Sequence, residues 1–347
     1  MTYSVYEEKK KITISKPVLL TLLAGAIALG ILIGTGMALF SPLQAFRGDA
    51  SSENTEGSFK FIRASQETMQ SGENRLRREL KPFRYKVAAL IEDKLKSDNV
   101  VDVSVYFRDL INGNRFGIGE RDSFSRKNLL KLPLMIAFFK WAEINPLILR
   151  RTLTYSGSTL QPEQKRDALI QTLEPGRHYT VNDLIFRMIA SDDDNAYALL
   201  FASMPSNRLE KIFKDLDVEY DPQKQDESLS LSAYAAFYRV LFNASYLSEE
   251  MSEKALRYLT KSNFRDGMAS GIPSNIEIAG KFGEQRIAVV DKGALKQLHQ
   301  VHEFGIIYYP NRPFLLGVVV RGTEPDRLVK VIRDITNLVY DEVDRQS

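Results

Sequence analysis

Residues 17–40 read PVLLTLLAGAIALGILIGTGMALF, 24 positions without a charge. About 20 apolar residues are enough to cross a bilayer as a helix. A cleaved secretory leader has a shorter apolar core, roughly 7–15 residues, closed by a small-x-small cleavage site. This core is longer and no Ala-x-Ala follows it, so an uncleaved, single membrane-spanning helix is expected. Lys9, Lys10, Lys11 and Lys16 precede the run, and Arg47 is the one nearby base after it. The positive-inside bias then places residues 1–16 in the cytoplasm and everything past residue 40 outside the cell membrane. Ala26, Gly30 and Gly34 recur every fourth residue, a stripe that would let two such helices approach as a homodimer. Gly and Ala are frequent in membrane helices without any pairing role, and both readings stay open.

Past the anchor, residues 41–62 are polar and aperiodic, as in a linker, which leaves residues 63–347 for an extracytoplasmic domain. The chain has no cysteine, so disulfides, thiolate catalysis and cysteine–zinc sites are excluded. A net charge of +3 makes no case for nucleic acid as a partner. Met69, Leu76, Leu80 and Phe83, then Val87, Leu90, Ile91 and Leu95, fall at helical spacing. Pro82 suggests a break into two helices, the second starting there. Residues 100–110 alternate as a strand, Asn112-Gly113-Asn114 marks a hairpin turn, and residues 115–118 return. From residue 129 to about 259 the spacing is helical, with loops at 156–164, 174–179, 204–207 and 219–230. Strands follow at 276–283, 303–309 and 314–321, the last two joined through Pro310-Asn311-Arg312-Pro313. Residues 325–345 carry Leu328, Ile332, Ile335, Leu338 and Val339 on one face of an amphipathic helix. Strands at both ends with a helical block between them predict an α+β domain: one antiparallel sheet built from both ends, with helices packed on it.

Three landmarks stand out. Asn128-Leu129-Leu130-Lys131 opens an apolar helix and puts an amide and a lysine on one face, at a depth where lysines are rare unless paired. Asp192-Asp193-Asp194 follows Met188-Ile189 and leads into Ala196-Tyr197-Ala198-Leu199-Leu200. Lys281-Phe282-Gly283 follows Met268-Ala269-Ser270-Gly271-Ile272-Pro273. In order and context, from about residue 85 to the end, these resemble the S-x-x-K, S-D-N and K-T-G motifs of class A serine β-lactamases and penicillin-binding D-Ala-D-Ala peptidases. The resemblance implies a β-lactamase/transpeptidase-like fold. It puts Asn128, Lys131, Asp192, Asp193 and Asp194 at the catalytic positions and Lys281, Phe282 and Gly283 at the ligand-binding ones.

The chemistry at those positions has changed. The family's serine attacks a carbonyl with help from the lysine; Asn128 offers an amide, which has no hydroxyl to activate. Ser125 lies nearly a turn too early to replace it. The aspartates suit a helix N-terminus; equally, they can pair with Lys131 and Lys281 to compensate buried charge. Clustered carboxylates also attract hard cations, but two adjacent lysines oppose that, so neither a metal site nor a cofactor is expected. Phe282 takes the place of a threonine and removes a donor for a substrate carboxylate. Asp226 and Glu227 lie in the loop matching the one that carries the family's deacylating glutamate, but fit no motif and read as solvated acids. His178, His299 and His302 show no triad or metal spacing, and His299 and His302 read as surface residues. The expectation is a binding or scaffold module without serine catalysis, with a cell-wall peptide or an envelope protein as partner. The alternative is a divergent hydrolase of β-lactam or peptidoglycan-type amides that uses Lys131 or Asp193 with water.

Overall fold

The computed structural model describes residues 59–63, 73–96, 99–125, 129–157, 173–219, 228–291 and 294–347. The expected membrane span 17–40 with its Ala26/Gly30/Gly34 stripe, the tail 1–16, Asn128, Asp226 and Glu227 lie outside them. No helix among the described residues is long and apolar enough to cross a membrane.

In chain order the domain runs α1 (Glu73–Leu95), β1 (Val100–Asp109), β2 (Arg115–Ile118), β3 (Ser123–Ser125), α2 (Lys131–Ile144), a 3-10 turn (Pro146–Arg150), β4 (Thr152–Thr154) and β5 (His178–Thr180). It continues with α3 (Val181–Ala190), α4 (Asp194–Ser203), α5 (Ser206–Asp215), β6 (Ser228–Ser230), α6 (Leu231–Phe242) and α7 (Glu249–Leu259). A 3-10 turn (Met268–Gly271), β7 (Ile278–Asp291), β8 (Ala294–Ile307), β9 (Phe314–Gly322) and α8 (Pro325–Arg345) complete it.

The main sheet is antiparallel with order β2-β1-β9-β8-β7, so the first and last strands of the domain meet at its centre. Val105 lies opposite Val318 and Tyr106 opposite Gly317. Because side chains alternate across a strand, each rung feeds two cores. Tyr106, Phe304 and Val319 face the helical block, together with Phe138 of α2 and Tyr234 of α6. Phe107, Val301 and Val318 face the other way, under Phe83 and Val87 of α1 and Leu328 and Ile332 of α8. The α+β architecture and the sheet built from both ends are as expected.

Local departures have physical causes. Pro82 does not divide α1, which runs through it. A proline forfeits one backbone donor, while burial of Phe83, Val87 and Ile91 against the sheet holds the turns that follow. The block expected to be all helix contains two short ribbons, β3 with β6 and β4 with β5. β7 and β8 each span 14 residues, far beyond the expected 276–283 and 303–309. Residues 59–63 are not free linker: the backbone N–H groups of Phe61 and Ile62 donate to Glu253 Oε2 at 2.7 and 3.2 Å, and Tyr308 Oη donates to the Phe61 carbonyl at 3.1 Å. Both apolar side chains are buried in the helical-side core, so the domain begins before residue 63.

Candidate active site

The N-terminus of α2, the turn between α3 and α4, and strand β7 converge on one cluster of charges. α2 is apolar nearly all round, as a core helix must be, yet its first residue is Lys131, only 1% exposed. The Lys131 Nζ donates to Asp192 Oδ1 at 2.5 Å, to Asp194 Oδ1 at 2.7 Å and to the Asp192 carbonyl at 3.1 Å. An ammonium has three N–H donors, and this geometry directs all three at acceptors.

The turn makes that possible. The Arg187 carbonyl accepts from both Ser191 N (3.0 Å) and Asp193 N (3.3 Å), and Asp192 between them adopts φ +53°. Aspartate tolerates this left-handed conformation better than most residues, and here it turns the Asp192 carbonyl and carboxylate toward the same lysine. Asp193 points elsewhere. It caps α4, its Oδ1 accepting from Asn195 N at 2.8 Å and Ala196 N at 3.1 Å. Burial pushes its carboxyl above the usual range, against the cap hydrogen bonds and the Lys131 charge. Its Oδ2 has no hydrogen-bond partner among the described residues.

Lys281, 3% exposed on β7, donates to the same Asp192 Oδ1 and to the Phe282 carbonyl at 3.1 Å. Asp192 therefore bridges two buried ammonium groups, and Asp194, whose side chain is 43% exposed, carries the cluster toward solvent. The β7–β8 register sets Phe304 opposite Lys281 and His302 opposite Gly283. Tyr234 packs edge-on against Phe304, centroids 4.7 Å apart, and Tyr238 Oη donates to the Phe304 carbonyl at 3.0 Å. Burial raises the Tyr234 phenol, with Asp192 adding to the effect.

Of the residues singled out in the sequence, Lys131, Asp192, Asp194 and Lys281 form one ion-paired cluster. Asp193 is the helix cap behind it. Phe282 belongs to the core on the other face of the sheet, where its ring stacks on Phe264 at 3.7 Å and 15°. Among the described residues no set of three His, Asp or Glu side chains is arranged to hold a metal ion.

His302 corrects the sequence reading. It is not on the surface but 1% exposed on β8, and neither ring nitrogen has a hydrogen-bond partner among the described residues. Burial first, then the Lys281 charge, holds its imidazole down at about 3. His299, half-buried, lies with Nδ1 3.2 Å from Glu284 Oε1. Sequence reasoning also passed over Glu303, opposite Phe282. It is 5% exposed, and its Oε2 accepts from Met268 N at 2.8 Å. A period-two count running back from Ile306 and Phe304 would have put His302 on the site's face.

The chain matches the family model described as the beta-lactamase enzyme family over residues 83–343, well over half its length, and it belongs to that family. Solved structures agree on the fold. A PBP-A mutant in acyl-enzyme complex with penicillin G superposes with TM-score 0.62 at 20% identity, covering 77% of this chain and 97% of that one. The TLA-1 extended spectrum beta-lactamase gives TM-score 0.62 at 16% identity, covering 75% and 98%. A beta-lactamase from Chitinophaga pinensis DSM 2588 gives 0.61 at 17%, covering 76% and 99%. Among curated proteins, none matches.

Proposed function

We propose that this chain is a membrane-anchored, extracytoplasmic member of the family that binds a ligand in a groove between the Asn128 helix and the Lys281 strand, without serine catalysis. The observation that carries the reading is the state of Lys131. A lysine that takes a proton from a nucleophile or from water must present a lone pair, and all three Lys131 N–H donors are engaged by Asp192 and Asp194. Asn128 stands at the nucleophile position. Lys281, which in the family attracts a substrate carboxylate, is bound to Asp192. The hydrolase alternative is weaker on the same grounds: Lys131 is committed, and Asp193 is buried as a helix cap with little access to water. The uncharged run 17–40 supports the anchor, and a cell-wall peptide or an envelope protein fits a domain held outside the membrane.

The test uses penicillin, the compound bound covalently in the PBP-A complex. Full-length protein treated with a fluorescent penicillin is expected to remain unlabelled. Asn128→Ser is expected to stay unlabelled as well, because a restored hydroxyl would still face a committed lysine. Stoichiometric covalent labelling of the wild type would overturn the proposal.

A further inference from the structure

The segment between α7 and β7 touches both partners of the Lys281–Asp192 pair through their sequence neighbours. At one end Asn263 N donates to the Ala190 carbonyl at 2.9 Å and Asn263 Nδ2 to Ser191 Oγ at 3.4 Å, one residue before Asp192. In the middle Phe264 stacks on Phe282, one residue after Lys281. At the other end Met268 N donates to the buried Glu303 carboxylate. Gly267 sits so close to that carboxylate that an added Cβ would collide with Glu303 Oε2 and lie 2.9 Å from the Phe264 ring. One side chain thus fastens a strip that braces both halves of the cluster.

We propose that Glu303 is a proton-controlled latch: protonated, it stays buried and holds residues 263–268 against Phe282 and the Ala190–Ser191 turn, the immediate neighbours of Lys281 and Asp192, and ionised, it releases them. The physical reason is the cost of an ionised carboxyl at this depth. Burial raises Glu303 from 4.5 to about 7; the Met268 N–H, Arg265 of the segment and Lys281 of β7 offset only part of that, and the Tyr238 phenol of α6, across the strand, feels the same charge. A carboxyl raised in the closed state favours that state at low pH. The closed-to-open ratio therefore falls as pH climbs from 4.5 through 7, by roughly seventyfold between about pH 5 and pH 8. The regulatory consequence, a groove that loosens near neutral pH, rests on the binding reading above. The latch itself does not.

Hydrogen exchange of residues 264–268, corrected for intrinsic rates, reads the latch directly in the full chain in detergent micelles. Opening in the wild type is expected to rise by that factor with pH. Glu303→Gln keeps an acceptor for Met268 N without a titrating proton, so its profile should be flat and protected. Gly267→Ala should be open throughout. A Glu303 carboxyl carbon-13 titration with its midpoint near 4.5, or a Glu303→Gln profile that follows the wild type, would overturn the proposal. Neither measurement uses a ligand, so penicillin labelling could sink the binding reading and leave the latch standing.

Discussion

Asp109 and Asp193 are both buried carboxylates beside basic residues, and the fold treats them in opposite ways. At the end of β1 the Asp109 Oδ1 accepts from Ile111 N at 2.9 Å and Asn112 N at 3.1 Å, while Oδ2 accepts from Asn112 Nδ2 and Arg312 Nε, both at 2.9 Å. Four donors fill that carboxylate, and it ties the β1–β2 hairpin to the turn before β9. Asp193 uses one oxygen as a cap and leaves the other without a partner among the described residues; the His302 ring and the Tyr234 hydroxyl, both within reach of the Asp192 charge, lack one too. Native interiors satisfy nearly all buried polar groups, so a local concentration of exceptions marks where stability has been given up. Here it coincides with the cluster that the three sequence landmarks assemble.

The most direct way to break this contrast is to remove one charge from each place. Asp109→Ala strands the Arg312 guanidinium and two backbone donors of a tight turn. A cost of roughly 3–5 kcal/mol is expected, the range for breaking a buried pair. Lys131→Met should cost less, about 1–2 kcal/mol, because Asp192 keeps Lys281 and the part-exposed Asp194 can rehydrate. Urea midpoints at constant slope measure both. A larger loss for Lys131→Met would mean that the cluster, and not the turn, is the scaffold.

His302→Leu sharpens the same comparison with the opposite sign. Removing a buried polar group that has no partner should raise stability at neutral pH by about 1 kcal/mol or more. The pH dependence gives a second handle. The folded imidazole binds its proton only near 3, against 6.5 unfolded, so the unfolded state takes up the proton first. Wild-type stability is complete above 6.5 and falls as pH drops toward 3, by up to about 1.4 kcal/mol per unit. The leucine variant should lack that component. Thermal melts at pH 7 and pH 5 decide it, and a variant that is less stable than wild type at both would show that the ring has a native partner.

Much of this was legible in the sequence where one physical signal dominated. β1 and β9 followed from their runs of β-branched and aromatic residues, buried on both faces of the sheet, and α8 from the periodicity of its one apolar face. The landmarks located Lys131, Asp192, Asp194 and Lys281. The middle of the β7–β8 hairpin was not legible. Glu284, Gln285, His299, Gln300 and His302 are polar side chains on strand positions, and a period-two apolar count stops at them. His302 read as a surface residue for the same reason, although Gln285 and Gln300 beside it are buried too. The strap at Phe61 and Ile62 lies in a polar stretch, and its partners Glu253 and Tyr308 are about 190 and 250 positions away. No local window contains them. Nor could spacing show that Asp192 and Asp193 part company: the divergence depends on one residue turning to φ +53°.

The smallest expected effect tests how Asp193 divides its work. Asp193→Asn keeps an Oδ1 acceptor for Asn195 N and Ala196 N and removes the ionisable group. Because burial raises the carboxyl in the folded state, the native protein holds its proton more tightly than the unfolded chain does. Its contribution is therefore most favourable below 3.8 and declines as pH rises through the folded value. The asparagine variant should escape that decline, and at pH 7 it should lie within about 1 kcal/mol of wild type. Asp193→Ala loses the cap itself, worth about 1 kcal/mol in most helices. The difference between the two variants isolates the cap, and their common departure from wild type isolates the charge. If both lose stability equally at pH 7, the carboxylate is needed as a charge, and Asp193 belongs with the ion pairs of Lys131 after all.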